Sequence, residues 1–395
     1  MKKLLLITQN FYPEIGSGAN RMKNLFKEFT NEGFDVYVLT SIPSYPNETM
    51  YKTSEFYDDD FINNIANDKI IRLNMKNAKQ KDGLFHRLLY YIEFMIKVHR
   101  FVSLTTKSFD YIYVTSPNIF LPWGAYFFQR KSSSLKILEI RDLWPDSVYA
   151  IKKKETKYFK FILNHLEKKM YESADKIVIN NFNFAEHIDR ITHKKKPMIY
   201  IPNSFTEDEL NKRNKIEEFS VIYTGNVGYA QNKNHLLTIF KLLNDNKINL
   251  TVVLYGVYAN EIKNHIKNNK LKYITVLDTM PRAQCLKLVS KHHVSLSILN
   301  NDDVFLNVLP GKVIDSICSG TPVVTNLGGE INTMINSNRL GISIEDGDPS
   351  EIVNAIISVK NSHILLEEFS NGCIQYSRRE FLWKNNIKKL IDFLE

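Results

Sequence analysis

Short runs of β-branched and aromatic residues recur along the chain, separated by longer segments in which apolar residues return every three or four positions. In the first half the short runs are Lys3–Thr8, Val36–Thr40, Ile70–Asn74, Tyr111–Thr115, Lys136–Ile140, Lys176–Asn180 and Met198–Ile201. They read as continuous runs and do not alternate in and out, the pattern of parallel strands covered on both faces. Between them, Ala19–Asn31, Leu84–Lys107 and Tyr158–Glu172 carry the helical period. After "IPNSFTEDEL" (201–210) comes a charged stretch, and the alternation then restarts with Ser220–Thr224, Asn249–Tyr255, Ile274–Leu277, Val294–Ile298, Pro322–Thr325 and Gly341–Ile344. Repeated βα alternation on both sides of a break predicts two doubly wound α/β domains with parallel sheets. The segment Tyr376–Glu395 closes the chain with an amphipathic helical pattern.

Composition narrows the class without changing this picture. A chain of 395 residues exceeds one ordinary core, and 44% hydrophobic with 24% charged residues excludes disordered and fibrous proteins. Cys285, Cys318 and Cys373 lack the spacing of a disulfide framework or a zinc site, which points to a reducing cytoplasm. The apolar run Leu4–Ile7 is too short for a secretory signal or a membrane span. The net charge of +9 is carried by residues 1–200, with 31 basic against 22 acidic side chains, while the rest of the chain balances. One half alone is therefore expected to meet an anionic surface. Within it, Met75–Lys107 combines Lys76, Lys79, Lys81, Arg87, Lys97, Arg100 and Lys107 with apolar residues at helical spacing. That segment reads equally as a basic amphipathic helix on an anionic membrane and as a core helix with a solvated edge. The basic run Lys152–Lys169 tips the balance toward the membrane. No stacking aromatic platform accompanies the charge, so nucleic acid is not expected as a partner.

Ligands of doubly wound folds bind beyond the carboxyl ends of the strands, and the informative motifs stand there. Gly16, Ser17 and Gly18 follow the first strand and lead into a helix, where free backbone N–H groups can receive a phosphate. Arg21 replaces the third glycine of a dinucleotide fingerprint, and no acidic residue follows the second strand, which argues against a nicotinamide cofactor. "EIRDLWPDS" (139–147) places Arg141 and Asp142 after a buried strand, either facing a cleft or paired internally. "VIYTGNVGYAQN" (221–232) offers Gly225, Asn226 and Gly228 as a second phosphate cradle. "LPGKVIDSICSGTPVV" (309–324) starts a helix near Pro310 and Gly311, with Lys312 in its first turn and Asp315 one turn later. A lysine there opposes the helix dipole unless a phosphate lies between them, and Asp315 can accept hydrogen bonds from ribose hydroxyls. "DDD" (58–60) reads as a solvated charge run and "EDGDPSE" (345–351) as a turn capping the next helix, so no catalytic metal is expected.

"FYPEIGSGANR", "SIPSYP", "SPN", "IRDLWPDS", "IPNSF", "YTGNVGYAQN" and "LPGKVIDSICSGTPVV", in this order, resemble glycosyltransferase family 4, closest to its N-acetyl-L-fucosamine transferases of O-antigen and capsule synthesis. The resemblance spans nearly the whole chain. It implies a GT-B fold of two Rossmann-like domains with an interdomain cleft. The acceptor-binding domain would span 1–203, the nucleotide-sugar domain 204–375, and a helix over 376–395 would cross back to the first domain. It also implies that Gly16 to Gly18 approach the donor phosphates, that Asp315 holds the ribose and that the base packs at Thr279 and Met280. Against the family pattern, Asn307 replaces the first glutamate of E-x7-E, Arg141 a histidine, Asn226 an arginine and Gln231 a lysine, with Lys233 close by.

The function expected from this is retaining transfer of an N-acetylamino or deoxy sugar from a UDP-sugar, without metal or other cofactor. Lys312, Arg141 and Asp142 are the expected catalytic residues. The acceptor would be a lipid-diphosphate-linked saccharide at the cytoplasmic face of the membrane. Two other readings stay open: a non-catalytic sugar-nucleotide binder of a membrane assembly, and a sugar-nucleotide epimerase.

Overall fold

The computed structural model describes residues 1–66, 68–77, 84–116, 118, 120–127, 133–145, 160–192, 195–209, 215–300 and 308–395. Asn307, Lys79, Lys81 and most of the basic run from Lys152 lie outside the described residues. The chain divides into two compact units, one of Met1–Pro202 with Trp383–Glu395 and one of Asn203–Leu382.

The first unit is built on seven parallel strands: β1 (Lys3–Ile7), β2 (Asp35–Ser41), β3 (Ile70–Leu73), β4 (Tyr111–Thr115), β5 (Leu135–Ile140), β6 (Lys176–Ile179) and β7 (Met198–Tyr200). Their order is β3-β2-β1-β4-β5-β6-β7. Each coincides with an apolar run of the sequence to within a residue or two, because a strand covered on both faces needs an unbroken apolar stretch. Leu4, Leu6, Val36, Val38 and Tyr113 face one layer of the core, while Leu5, Ile7, Leu39, Ile112 and Val114 face the other. The helix Ser17–Asn31 buries Met22, Leu25, Phe26 and Phe29 in the first layer. The helix Leu84–Leu104 closes the second with Phe94 and Val98.

The second unit repeats the plan with β8 (Ser220–Asn226), β9 (Asn249–Tyr255), β10 (Ile274–Leu277), β11 (Val294–Ser297), β12 (Val323–Thr325) and β13 (Gly341–Ser343), in the order β10-β9-β8-β11-β12-β13. Every strand pair in both sheets is parallel. In each sheet the order reverses between the first strand and the fourth, opening a crevice at the carboxyl edge beside β1 and beside β8.

The end of the chain differs from its sequence reading. The periodic segment from Tyr376 is two helices, His363–Glu380 and Trp383–Leu394. They break at Phe381 and Leu382, whose backbones meet Phe205 instead. Only the second helix belongs to the first unit, where Trp383, Ile387, Leu390 and Leu394 are buried. The return therefore falls at Trp383, not at residue 376.

Candidate active site

At the carboxyl edge of the second unit, β8 runs on through Asn226, so Gly225 lies inside the strand and not after it. Its φ of +113° is a conformation that side chains disfavour, and a Cβ there would point toward the Lys312 Cε at 3.9 Å. Asn226 lies against Gly256, also at positive φ, where a Cβ would fall 2.0 Å from the Asn226 Oδ1. Gly228 continues the loop, but its N–H already donates to the Gln231 Oε1 at 2.7 Å. Gln231, standing in the place of a family lysine, thus closes the loop on itself. Lys233 does not make up the charge, since it pairs with Glu261 at 2.7 Å and lies over the Tyr258 ring.

The cation that does face this loop is Lys312. Pro310 precedes the helix Gly311–Cys318, which has no side-chain cap and no acidic residue in its first turn. The Lys312 ammonium donates to the Tyr223 hydroxyl at 3.0 Å and lies 4.4 Å from the ring centre. Burial pulls its pKa down to about 7. An amine so placed gains a proton readily once an anion arrives. Asp315, one turn on, has both carboxylate oxygens bound by Arg282, at 2.9 and 3.1 Å. Thr279 and Met280 are partly buried just after β10 and immediately before the helix that starts at Arg282. The sequence reading missed Arg282, which becomes significant only once the fold sets it against Asp315.

The first unit presents a second basic corner. Gly16 caps the helix Ser17–Asn31 at a φ of +115°, Ser17 is exposed and Gly18 is buried. The Arg141 guanidinium lies directly on Gly18, where a Cβ would be 2.3 Å from its Nη1. Asp142 is exposed, and the carboxylate beside Arg141 is that of Glu139, 3.9 Å away. The ion-pair partner of Arg141 is therefore Glu139, while Asp142 acts on it only through a weaker electrostatic attraction. Glu139 is fully buried and also takes Arg21 at 3.0 Å and the Tyr113 hydroxyl at 2.6 Å. Two arginines thus share one buried carboxylate beside a helix N-terminus. From the sequence Glu139 has no assigned role and Arg21 only that of standing in for a glycine, although a glutamate inside an apolar strand is a visible signal.

One aspartate of each acidic run caps a helix, while Asp58 and Asp60 are exposed. Asp59 is not solvated: it is buried, caps the helix Asp60–Asn63 and pairs with Lys23 and Lys27. Asp348 forms a capping box with Glu351 on the helix Pro349–Lys360. Among the described residues no three metal-ligating side chains cluster, and no helix is long and apolar enough to cross a membrane.

Residues 205–379 match the family model described as glycosyl transferases group 1. No curated protein sequence matches the chain. Among solved structures, the sucrose-phosphate synthase of Thermosynechococcus elongatus is similar at a TM-score of 0.74 and 13% identity, covering 99% of this chain and 98% of that one. HepE of Anabaena in complex with UDP-glucose gives 0.69 and 13%, over 100% and 99% of the two chains. A variant of S. aureus TarM in complex with UDP among other ligands gives 0.68 and 10%, over the full length of both. At such identities the likeness concerns the fold. The chain has the GT-B fold of these structures, and residues 205–379 are similar to glycosyl transferases group 1.

Proposed function

We propose that the chain is a retaining, metal-independent glycosyltransferase that moves a sugar from a UDP-sugar to a lipid-diphosphate-linked saccharide. The observation that carries the reading is the row along the carboxyl edge of the group 1 domain. Gly225 and Lys312 stand together, Asp315 follows one turn further, and Arg282 leads back to Met280 and Thr279. A nucleoside diphosphate needs that sequence of contacts: an apolar seat for the base, a carboxylate for the ribose diol and a cation with free amides for the phosphates. HepE and TarM, which share the fold, were solved with UDP or a UDP-sugar.

In this reading the Lys312 ammonium and the backbone N–H groups of Gly311 and Lys312 stabilise the diphosphate as it leaves, which is where preorganised charge lowers a barrier most. The acceptor hydroxyl attacks the face from which the diphosphate departs and passes its proton to a donor phosphate oxygen. Arg141, held by Glu139 on Gly18, stabilises charge in place of the family histidine. Asp142 orients the sugar or the acceptor. The sugar is an N-acetylamino or deoxy sugar such as N-acetyl-L-fucosamine, and the product belongs to capsule or O-antigen synthesis in a bacterium.

The membrane partner is supported by the first unit. The helix Leu84–Leu104 turns Phe94 and Val98 into the core yet exposes Leu88, Ile96 and Leu104 on its other side, next to the exposed Arg100. Phe161 and Ile162 are exposed on the helix Lys160–Glu172. Apolar side chains beside basic ones suit the inner face of an anionic membrane.

Thermal shift against a nucleotide panel tests the donor site, since a ligand at about 100 times its Kd adds roughly 2.7 kcal/mol. The expected result is stabilisation by UDP and a UDP-sugar, with none from GDP, NAD or oligonucleotides. No shift with any nucleotide removes the reading. Release of UDP from the donor in the presence of an isoprenyl-diphosphate saccharide separates a transferase from a binder. Flotation with anionic vesicles tests the membrane face, and a protein that stays unbound at low salt refutes it.

A further inference from the structure

The segment "IPNSFTEDEL" marks the break in the sequence, and the nucleotide reading leaves it without a role. In the structure it ends in a relay of polar contacts. The Thr206 N–H donates to the Glu209 Oε2 at 3.1 Å, and the Glu209 Oε1 takes the Arg282 Nε–H at 3.2 Å. Arg282 Nη1 and Nη2 then donate to the two oxygens of Asp315 at 3.1 and 2.9 Å. The guanidinium lies over the Phe205 ring, 5.0 Å from its centre. All three charged side chains are mostly buried, with 18% of Glu209, 22% of Arg282 and 27% of Asp315 exposed.

We propose that Arg282, braced by Glu209 and Phe205, is a positioning residue that orients the Asp315 carboxylate for the ribose diol of the nucleotide. The proposal rests on the nucleotide-site reading above. A carboxylate has about four lone-pair directions, and the bidentate fork uses two. The remaining two lie in the same plane, one on the outer side of each oxygen, where either can accept from a ribose hydroxyl. A planar fork fixes that plane in a way a lysine cannot. It also balances the negative charge of Asp315, which would otherwise stand one helical turn from the diphosphate. Glu209 and Asp315 together hold Arg282 firmly charged, its pKa raised despite the burial. Arg282 touches no substrate; it acts through Asp315.

The test is isothermal titration of the full chain and its variants with UDP and with 2′,3′-dideoxy-UDP. Wild-type protein is expected to prefer UDP by about 10- to 100-fold, the size of one or two charge-assisted hydrogen bonds. Asp315→Asn sets the reference in which that preference is lost. Arg282→Met is expected to bring the preference to within about three-fold while binding of the dideoxy compound changes little, because truncating a positioning group costs only the bonds it aims. Arg282→Lys and Glu209→Gln, gentler changes that leave a cation beside Asp315, are expected to fall between these limits. A structural role alone would weaken both nucleotides equally. An undiminished preference in Arg282→Lys and Glu209→Gln, with the preference lost in Asp315→Asn, overturns the role of Arg282 and leaves the nucleotide site standing. Wild-type protein that binds neither nucleotide overturns the nucleotide site, and the role of Arg282 with it.

Discussion

On the proposed donor site, raising the pH should weaken nucleotide binding to the second unit, because the cation set beside Gly225 loses its proton near neutrality. Burial brings the Lys312 pKa to about 7 from 10.5. In the free protein the amine is then half charged at pH 7 and about 1% charged at pH 9. If only the ammonium form receives the diphosphate, the apparent Kd grows as the inverse of that fraction. The expected weakening from pH 7 to pH 9 is about 50-fold, or about 2.3 kcal/mol. A terminal phosphate takes up its second proton near pH 6, which sets the lower end of the useful range. The assay is calorimetric titration with UDP in pairs of buffers of different ionisation enthalpy. Near pH 8 each complex should take up about 0.9 proton. Lys312→Arg keeps its charge and should lose the pH dependence. A wild-type Kd that is flat between pH 7 and 9 with no proton uptake refutes the reasoning, as does an unchanged slope in the arginine variant.

The same shift has a stability consequence of defined sign. The folded pKa lies below the unfolded one, so between pH 7 and 10.5 the unfolded chain binds more protons and stability rises with pH. The cost of Lys312 is full below pH 7 and gone above 10.5. Lys312→Met should therefore stabilise the protein most in acid, by at most about 5 kcal/mol before screening of the partly exposed amine. Denaturant melts should show the gap closing toward pH 10, and a constant gap would count against a depressed pKa.

Three other outcomes follow from the geometry. Gly225→Ala forces a side chain into a φ of +113° and should cost about 1–3 kcal/mol in denaturant melts, with UDP affinity falling too; an unchanged melt would mean that the loop relaxes freely. Gly18→Ala puts a methyl 2.3 Å from the mobile end of Arg141, so donor turnover should fall at least about ten-fold while stability changes by less than about 1 kcal/mol. Unaltered turnover would remove Arg141 from the chemistry. Glu139→Gln strands two buried arginines and should cost about 3–5 kcal/mol by urea titration; a loss under about 1 kcal/mol would mean that the arginines are solvated.

The fold was legible because most strands are short, predominantly apolar runs that do not alternate, set off by glycine, proline or charge. Pro310 and Gly320 bracket the helix Gly311–Cys318 in sequence as in space. Reading one helix from residue 376 onward failed because Phe381 and Leu382 fit its period, while their backbones serve Phe205, some 175 positions earlier. Periodicity carries no record of so distant a partner. The same limit applies to the site. Gly225, Lys312 and Asp315 stand in motifs that announce themselves, but Arg282 follows an ordinary Met-Pro and acquires meaning only beside Asp315. Lys233 was near the loop in number and is tied instead to Glu261. Spacing identifies groups that act from one turn; it does not report which charges cancel across elements.

The discontinuity of the first unit has a bearing on how the protein is made. Its core contains Trp383, whose ring lies 5.5 Å from the guanidinium of Arg21, itself bound to the carbonyl of Pro202. The residues that complete this packing leave the ribosome after the entire second unit has emerged. Domains that are continuous in sequence fold as they appear, so Asn203–Leu382 can reach its native state while the earlier half still waits for its final helix. During that interval the groove destined for Trp383, Ile387 and Leu390 is an open apolar trench and a natural place for a chaperone to hold the nascent chain. A premature stop just before Trp383 should spare the second unit and leave the other half prone to aggregation.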